Sequence, residues 1–243
     1  MKQVLFEIVS QSVIADGVYR MVLRGDTSAI TATGQFVNVM VDGLYLRRPI
    51  SVCDWDENTL TLIYKVVGKG TKSMSEYPVG KSLDVLTGLG NGYDTALSGE
   101  APLLLGGGVG VPPLYALCKQ LVAQGKQPTV ILGFNSKKDV FYADEFAALG
   151  ATVIVTTADG SMGVKGFVTD AMAGLHYTHF YTCGPEPMLH AVFHATSTSG
   201  QMSFEERMGC GFGACMGCSC KTITGYKRIC KEGPVMKKED ILW

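Results

Sequence analysis

The sequence predicts a multi-domain chain: an N-terminal antiparallel β-barrel, a central α/β parallel-sheet domain, and a C-terminal cysteine-rich subdomain. Three observations predict this order. Short runs of period-two hydrophobicity, separated by turn signals, fill the first hundred residues. Strand-like and helix-like stretches then alternate for another hundred. The remaining forty or so hold five of the eight cysteines. A length of 243 residues exceeds one typical domain. With 47% apolar and 18% charged residues, packed cores are expected and disorder is not. A net charge of −1 leaves no electrostatic footprint for nucleic acid. The richest apolar tract, 103–117, is broken by glycines and by Pro112-Pro113, so no membrane span is expected. The first residues carry Glu7 and no long apolar core, which argues against a secretory signal. The expected compartment is therefore the cytoplasm, where thiols stay reduced.

Residues 1–97 make the barrel. Residues 59–66 alternate strictly, with Leu60, Leu62, Tyr64 and Val66 on one face, and shorter runs occur at 4–8, 18–23 and 36–41. Ala15-Asp16-Gly17, Val41-Asp42-Gly43 and Asp56-Glu57-Asn58 supply turns between them. Many short strands at this spacing suit a small closed antiparallel sheet.

Residues 98–200 make the α/β domain. Strands are expected at 102–106, 129–134, 152–156 and 179–183, and helices at 112–123, 142–149, 167–173 and 186–196. Four strand-then-helix units predict a parallel sheet with helices on both faces. The first unit runs Leu105-Gly106-Gly107-Gly108-Val109-Gly110-Val111-Pro112-Pro113, a buried strand feeding a glycine turn with proline where a helix begins. Such a turn offers free N–H groups and a helix dipole to a pyrophosphate, though it is not the usual G-x-G-x-x-G. A tight turn without a ligand is the plainer reading. No acidic residue closes the second strand; Asn135-Ser136-Lys137-Lys138 follows it, leaving the choice between the two nicotinamide dinucleotides open.

Residues 201–243 carry Cys210, Cys215, Cys218 and Cys230, spaced C-x4-C-x2-C…C among Gly209, Gly211, Gly213 and Gly217. That is the thiolate spacing of a plant-type 2Fe–2S cluster. Zinc is the first competing reading, since one Cys-x2-Cys knuckle is present, and an inert or redox cysteine cluster is the second. Cys220 is expected to point away, while Cys53 and Cys118 read as small buried hydrophobes. His176, His179, His190 and His194 form no metal or catalytic motif. The segment is too short to bury a core alone.

Within the barrel, Arg47-Arg48-Pro49-Ile50-Ser51 offers a guanidinium to phosphate and a hydroxyl to a polar ring edge. Gly68-Lys69-Gly70-Thr71 is a glycine turn into a short helix. Together with the Gly107–Pro113 loop and Thr182-Cys183-Gly184-Pro185, these appear in the order of the ferredoxin–NAD(P) reductase superfamily, which residues 1–200 resemble. The resemblance implies that the barrel holds FAD: Arg48, Pro49, Ile50 and Ser51 would touch the flavin and its pyrophosphate, Ile63, Tyr64 and Lys65 would line it, and Gly70 and Thr71 would bind its phosphates. Tyr64 and Lys65 serve barrel packing equally well. By the same resemblance Gly107, Gly108, Gly110 and Pro112 would face the nicotinamide dinucleotide, with Cys183 and Gly184 near its ring.

Adding Glu206-Arg207-Met208-Gly209-Cys210 through Cys218, and Arg228-Ile229-Cys230-Lys231-Glu232-Gly233-Pro234, narrows the match. Nearly the whole chain resembles the electron-transfer subunits of NAD-dependent (class 1B) dihydroorotate dehydrogenase. The resemblance implies a chain holding FAD and a 2Fe–2S cluster, with NAD as electron acceptor. It also implies a partner, an FMN-containing catalytic subunit that oxidises dihydroorotate in pyrimidine (UMP) biosynthesis, in a heterotetramer of two plus two. Electrons would run from that FMN through the cluster and FAD to NAD⁺. A subunit of another NAD(P)H–ferredoxin or hydrogenase-type complex is the alternative. Some of those have aspartate in place of the first cysteine, so the presence of Cys210 favours the first reading.

Overall fold

The computed structural model describes residues 1–243. Six strands, β1 (Lys2–Ala15), β2 (Val18–Arg24), β3 (Phe36–Val39), β4 (Arg48–Trp55), β5 (Thr59–Lys65) and β6 (Ser82–Leu89), close into an antiparallel barrel in the order β1-β2-β5-β4-β3-β6. The period-two pattern sends Phe6, Ile8, Met21, Leu23, Leu60, Leu62, Leu83 and Val85 inward, each at most 2% exposed. Burying each such side chain contributes about 1.5–3 kcal/mol before the ordering entropy is subtracted. Helix α1 (Lys69–Ser75) adds the fully buried Met74 to this core.

The second unit comprises β7 (Pro102–Gly107), α2 (Pro112–Ala123), β8 (Thr129–Phe134), α3 (Ala143–Ala148), β9 (Thr152–Thr157), β10 (Val164–Lys165), β11 (His179–Cys183), α4 (Glu186–Ala195) and β12 (Gly200–Ser203). The final segment holds a hairpin, β13 (Ser219–Thr222) and β14 (Gly225–Arg228), and then β15 (Val235–Lys237). The large sheet runs β10-β9-β8-β7-β11-β12-β15, parallel except for β15, which lies antiparallel on β12. Alternate residues divide its two faces. Leu104, Val130, Leu132 and Tyr181 pack with α2 and α3, whereas Leu103, Leu105, Ile131 and Phe180 pack with Leu189 and Val192 of α4. The strand order reverses between β7 and β11, and the crevice beyond the C-terminal ends of two such strands is where open α/β sheets bind ligands.

Barrel and sheet share one core: Val18, Cys53 and Ile63 of the barrel pack with Leu114, Leu117 and Phe146 of the second unit. Three ion pairs rim this junction, Lys138–Asp16 at 2.8 Å, Lys119–Asp54 at 3.0 Å and Lys65–Asp139 at 3.6 Å. Exposed pairs of this kind add only about 0–1 kcal/mol each, so the apolar contact holds the units together. Tyr93, in the stretch joining the units, donates to the Thr182 carbonyl, and Tyr181 donates to the Asp94 carbonyl.

Two expectations need correcting. The helix expected at 167–173 is a single 3-10 turn, Asp170–Met172. Asp170 Oδ2 accepts from the Phe167 N–H at 2.7 Å, and Gly166 and Gly174, both at positive φ, bracket the segment and prevent regular helix. The sheet also exceeds four strands, because β10, β12 and β15 extend it.

Candidate functional site

β4 changes partners midway. Its first half, Arg48 to Ser51, pairs with β3, and from Val52 onward it pairs with β5. β5 meets β4 only through Leu60, Thr61 and Leu62, so the ladder between these strands stops short of Ile63, Tyr64 and Lys65. The barrel thus splits along Arg48–Ser51 on one side and Ile63–Lys65 on the other, two segments that sequence reasoning chose separately. Main-chain polar groups along such a split require partners from outside the sheet. At its end Arg48 lies over the start of α1: a Cβ at Gly70 would sit 2.7 Å from the guanidinium carbon. Thr71 Oγ1 accepts from the Val67 and Gly68 N–H groups at 3.0 and 3.3 Å and fixes that turn. Arg48, Gly70 and Thr71 are therefore brought together.

Ile63 and Tyr64 offer no free side chain. Ile63 belongs to the inter-unit core, and Tyr64 donates to Gln11 Oε1 at 3.1 Å and stacks on Tyr19. Lys65 is paired with Asp139. At this segment the main chain, rather than these side chains, faces the split.

The β7 turn, Gly107 to Gly110, meets Cys183-Gly184 at the point where strand order reverses. A Cβ on Gly110 would lie 2.6 Å from Gly184 Cα and closer still to the Cys183 carbonyl, so the two loops touch through their main chains. Pro112 opens α2 as expected. Beside them a cavity of about 430 Å³ is lined by Gly107, Gly108, Phe134, Asn135, Thr156, Phe167 and Met188. Phe167 is 68% exposed although large and apolar, and Thr156 Oγ1 is fully buried without a partner. Asn135, Thr156 and Phe167 escaped sequence reasoning. Their common signal is position, just at or beyond the C-terminal end of a parallel strand or in the loop that follows. Lys138, in the tract that follows the second strand of this unit, is paired with Asp16.

A second cavity, of about 420 Å³, opens where all three segments meet. Pro49 and Ser51 enter from β4, Phe36 from β3, Cys183 from β11, and Glu205, Arg207 and Met208 from the approach to the cysteine loop. Burial pushes the Cys183 thiol up to about 12, so it stays neutral. Glu205 is exposed at this opening, with enough protein around its carboxyl for partial desolvation to raise its pKa.

The cysteine loop follows directly. Burial would raise the Cys210 thiol, but N–H groups of Phe212, Cys215 and Ala214 aimed at its sulfur, with the Cys215 thiol, bring it down to about 6. The Ala214 N–H lies 3.2 Å from Cys210 Sγ. Cys230 is pushed up to about 12 by burial and by the adjacent Cys218 thiol, whose sulfur accepts from the Cys230 N–H at 3.4 Å. Cys215 thus lies beside Cys210 and Cys218 beside Cys230, with Cys210 near enough to act on Cys230 as well. Two irons bridged by sulfide need two thiolates each and amide N–H groups facing sulfur, and this donor set fits that demand. Arg228 staples the loop, donating to the Gly213 carbonyl and pairing with Glu232. Cys220 turns away, its sulfur 4.0 Å from that of Met236.

Comparison with known proteins gives the same layout. Residues 205–242 match the family described as the iron-sulfur cluster binding domain of dihydroorotate dehydrogenase B, and 104–194 match the oxidoreductase NAD-binding domain. The dihydroorotate dehydrogenase B (NAD(+)) electron transfer subunit of Fusobacterium nucleatum subsp. nucleatum is 45% identical over 244 residues, covering 94% of each chain. That of Geobacillus sp. (strain WCH70) is 45% identical over 256 residues, covering 100% of this chain and 99% of its own. The chain belongs to the family of dihydroorotate dehydrogenase B electron transfer subunits. Among solved structures, one of an NADH-dependent reduced ferredoxin–NADP oxidoreductase superposes with a TM-score of 0.88 at 30% identity, covering 98% of this chain and 90% of that one. Phthalate dioxygenase reductase shares the fold, with a TM-score of 0.68 at 17% identity over 90% and 86% of the two chains. No helix of this family member is long and apolar enough to cross a membrane.

Proposed function

We propose that this chain carries electrons between a dihydroorotate-oxidising flavoprotein and NAD⁺ in pyrimidine (UMP) biosynthesis. It would do so in the cytoplasm, as half of a two-plus-two heterotetramer whose other subunit holds FMN. The observation that carries this reading is the 420 Å³ cavity at which Ser51, Cys183 and Met208 meet, because it joins the split barrel, the nucleotide crevice and the cysteine loop.

Three stretches divide the work: 1–97 for FAD, 98–200 for NAD and 201–243 for the cluster. Arg48 neutralises the flavin pyrophosphate, whose oxygens the main chain at Gly70 and Thr71 also receives. Pro49, Ile50 and Ser51 border the ring, Ser51 offering its hydroxyl to a polar ring edge. Ile63, Tyr64 and Lys65, paired with β2 on one side, contribute from the opposite side the main-chain edge that β4 leaves unpaired. Gly107, Gly108 and Gly110 let the NAD pyrophosphate approach the turn before Pro112, and Cys183 and Gly184 bound the nicotinamide position with a thiol kept neutral. Cys210, Cys215, Cys218 and Cys230 hold the cluster. When bound, flavin exchanges hydride with nicotinamide and single electrons with a 2Fe–2S centre, so a chain holding both converts between the two currencies.

The test is reconstitution. Mixed with an FMN-bearing dihydroorotate-oxidising subunit, the chain is expected to form a stable complex in which dihydroorotate oxidation reduces NAD⁺, while neither component does so alone. NAD⁺ reduction by the partner alone, or no coupling in the mixture, contradicts the proposal.

A further inference from the structure

We propose that Asn38 is a positioning residue for electron transfer: its side-chain amide locks the cysteine loop, at Cys210, to β3, the barrel strand paired with the one that borders the flavin cleft. This rests on Cys210 being a cluster ligand and on β4 bordering the flavin.

The outer face of β3 is the seam between the barrel and the cysteine subdomain. Phe36 packs there with Cys218, Ile229 and Cys230, an apolar contact. Two residues along the same face, the side chain is an amide, and Asn38 is 1% exposed. Its Nδ2 donates to the Cys210 carbonyl at 3.3 Å. On the other side its main chain lies opposite Pro49, a residue of the cleft, and its carbonyl accepts from Arg47, which also pairs with Asp84 at 3.0 Å. One residue therefore touches a cluster ligand and sits beside the flavin-facing strand.

Packing does not account for an amide here. Asn38 Oδ1 is buried without a hydrogen-bond partner, a desolvation cost that an apolar residue would avoid. The loop is shaped to receive the amide: Gly211 sits at φ +76°, and a Cβ there would collide with Asn38 Nδ2. Anchoring the Cys210 carbonyl sets the orientation of the turn whose next amides face Cys210 Sγ. Donors held near a cluster favour its more negative, reduced state. Removing the anchor should therefore lower the cluster potential and slow its exchange with the flavin.

The test uses N38L, N38D and N38Q in the holoprotein, with the spectrum of the reduced cluster and its reduction equilibrium as readouts. N38L is expected to keep wild-type iron and acid-labile sulfide, shift the electron paramagnetic resonance g-values, and lower the cluster-to-flavin reduction equilibrium on the order of tenfold, which is 59 mV for a one-electron couple. N38Q, which retains a donor, recovers part of the shift. If N38L fails to accumulate, N38D removes the donor and adds a negative charge, and is expected to shift the same readouts the same way and further. Wild-type g-values and equilibrium in the variant that folds would overturn the proposal. Wild-type protein lacking iron would instead defeat the cluster reading on which it rests.

Discussion

Replacing Cys215 by serine is expected to abolish electron exchange with the partner subunit while leaving NADH-dependent reduction of ferricyanide by the flavin near its wild-type rate. The asymmetry follows from geometry. Cys215 is exposed, so its substitution removes a thiolate without disturbing a core. Cys218 and Cys230 are buried in the apolar cluster with Phe36 and Ile229, and changing them would confound ligand loss with unpacking. With one of its thiolates replaced the cluster site is expected to lose iron, whereas Arg48, Ser51, Gly70 and the Gly107 turn all lie outside the loop. C220S supplies the control: with its sulfur against Met236, that variant should keep iron, sulfide and both activities. Equal loss of both activities in C215S would refute the division of labour between loop and barrel.

The second large effect is expected at Gly110. Its Cβ position falls 2.5 Å from the Cys183 carbonyl carbon and 2.6 Å from Gly184 Cα, which are main-chain atoms that cannot rotate aside. G110A must therefore push the β7 and β11 loops apart at the point where strand order reverses. Overpacking of this kind costs about 1–3 kcal/mol. For a chain of this size each kcal/mol lowers Tm by roughly 2–4 °C. Both loops bound the proposed nicotinamide position, so the KM for NADH should rise by about tenfold or more, the equivalent of about 1.4 kcal/mol. Thermal melting and steady-state kinetics with ferricyanide report the two effects separately. A G110A protein with wild-type Tm and KM would show that the loops do not meet as described.

Much of this architecture was legible because period and punctuation are local. The strand Thr129–Phe134 and the helix Pro112–Ala123 lie where apolar periodicity and proline place them. The cysteine spacing encodes a loop, and glycine between cysteines encodes its tight path. What escaped was decided by distant partners. β15 is three residues long and exists because β12 offers an edge. The 167–173 segment has a helical apolar pattern, yet Gly166 and the Asp170 carboxylate override it, and Phe167 is left facing a cavity. In the site, the Arg48–Ser51 stretch and the Gly70-Thr71 turn were readable as motifs. The packing of Ile63 and Tyr64 into two different cores was not, since a buried residue and a cleft residue look alike in an alternating strand. Asn38 gave no signal at all: one polar residue in a short strand acquires meaning only when the Cys210 carbonyl is found against it.

The central claim is that one chain holds a flavin and a 2Fe–2S cluster in electronic contact at the junction of its three segments. Anaerobic stopped-flow reduction of the purified holoprotein by NADH tests it most directly. Bleaching of the flavin band should come first, followed by bleaching of the cluster absorbance and the rise of a reduced-cluster paramagnetic signal on the same sample. A flavin that is reduced while the iron chromophore stays oxidised, or protein that binds neither, would contradict it.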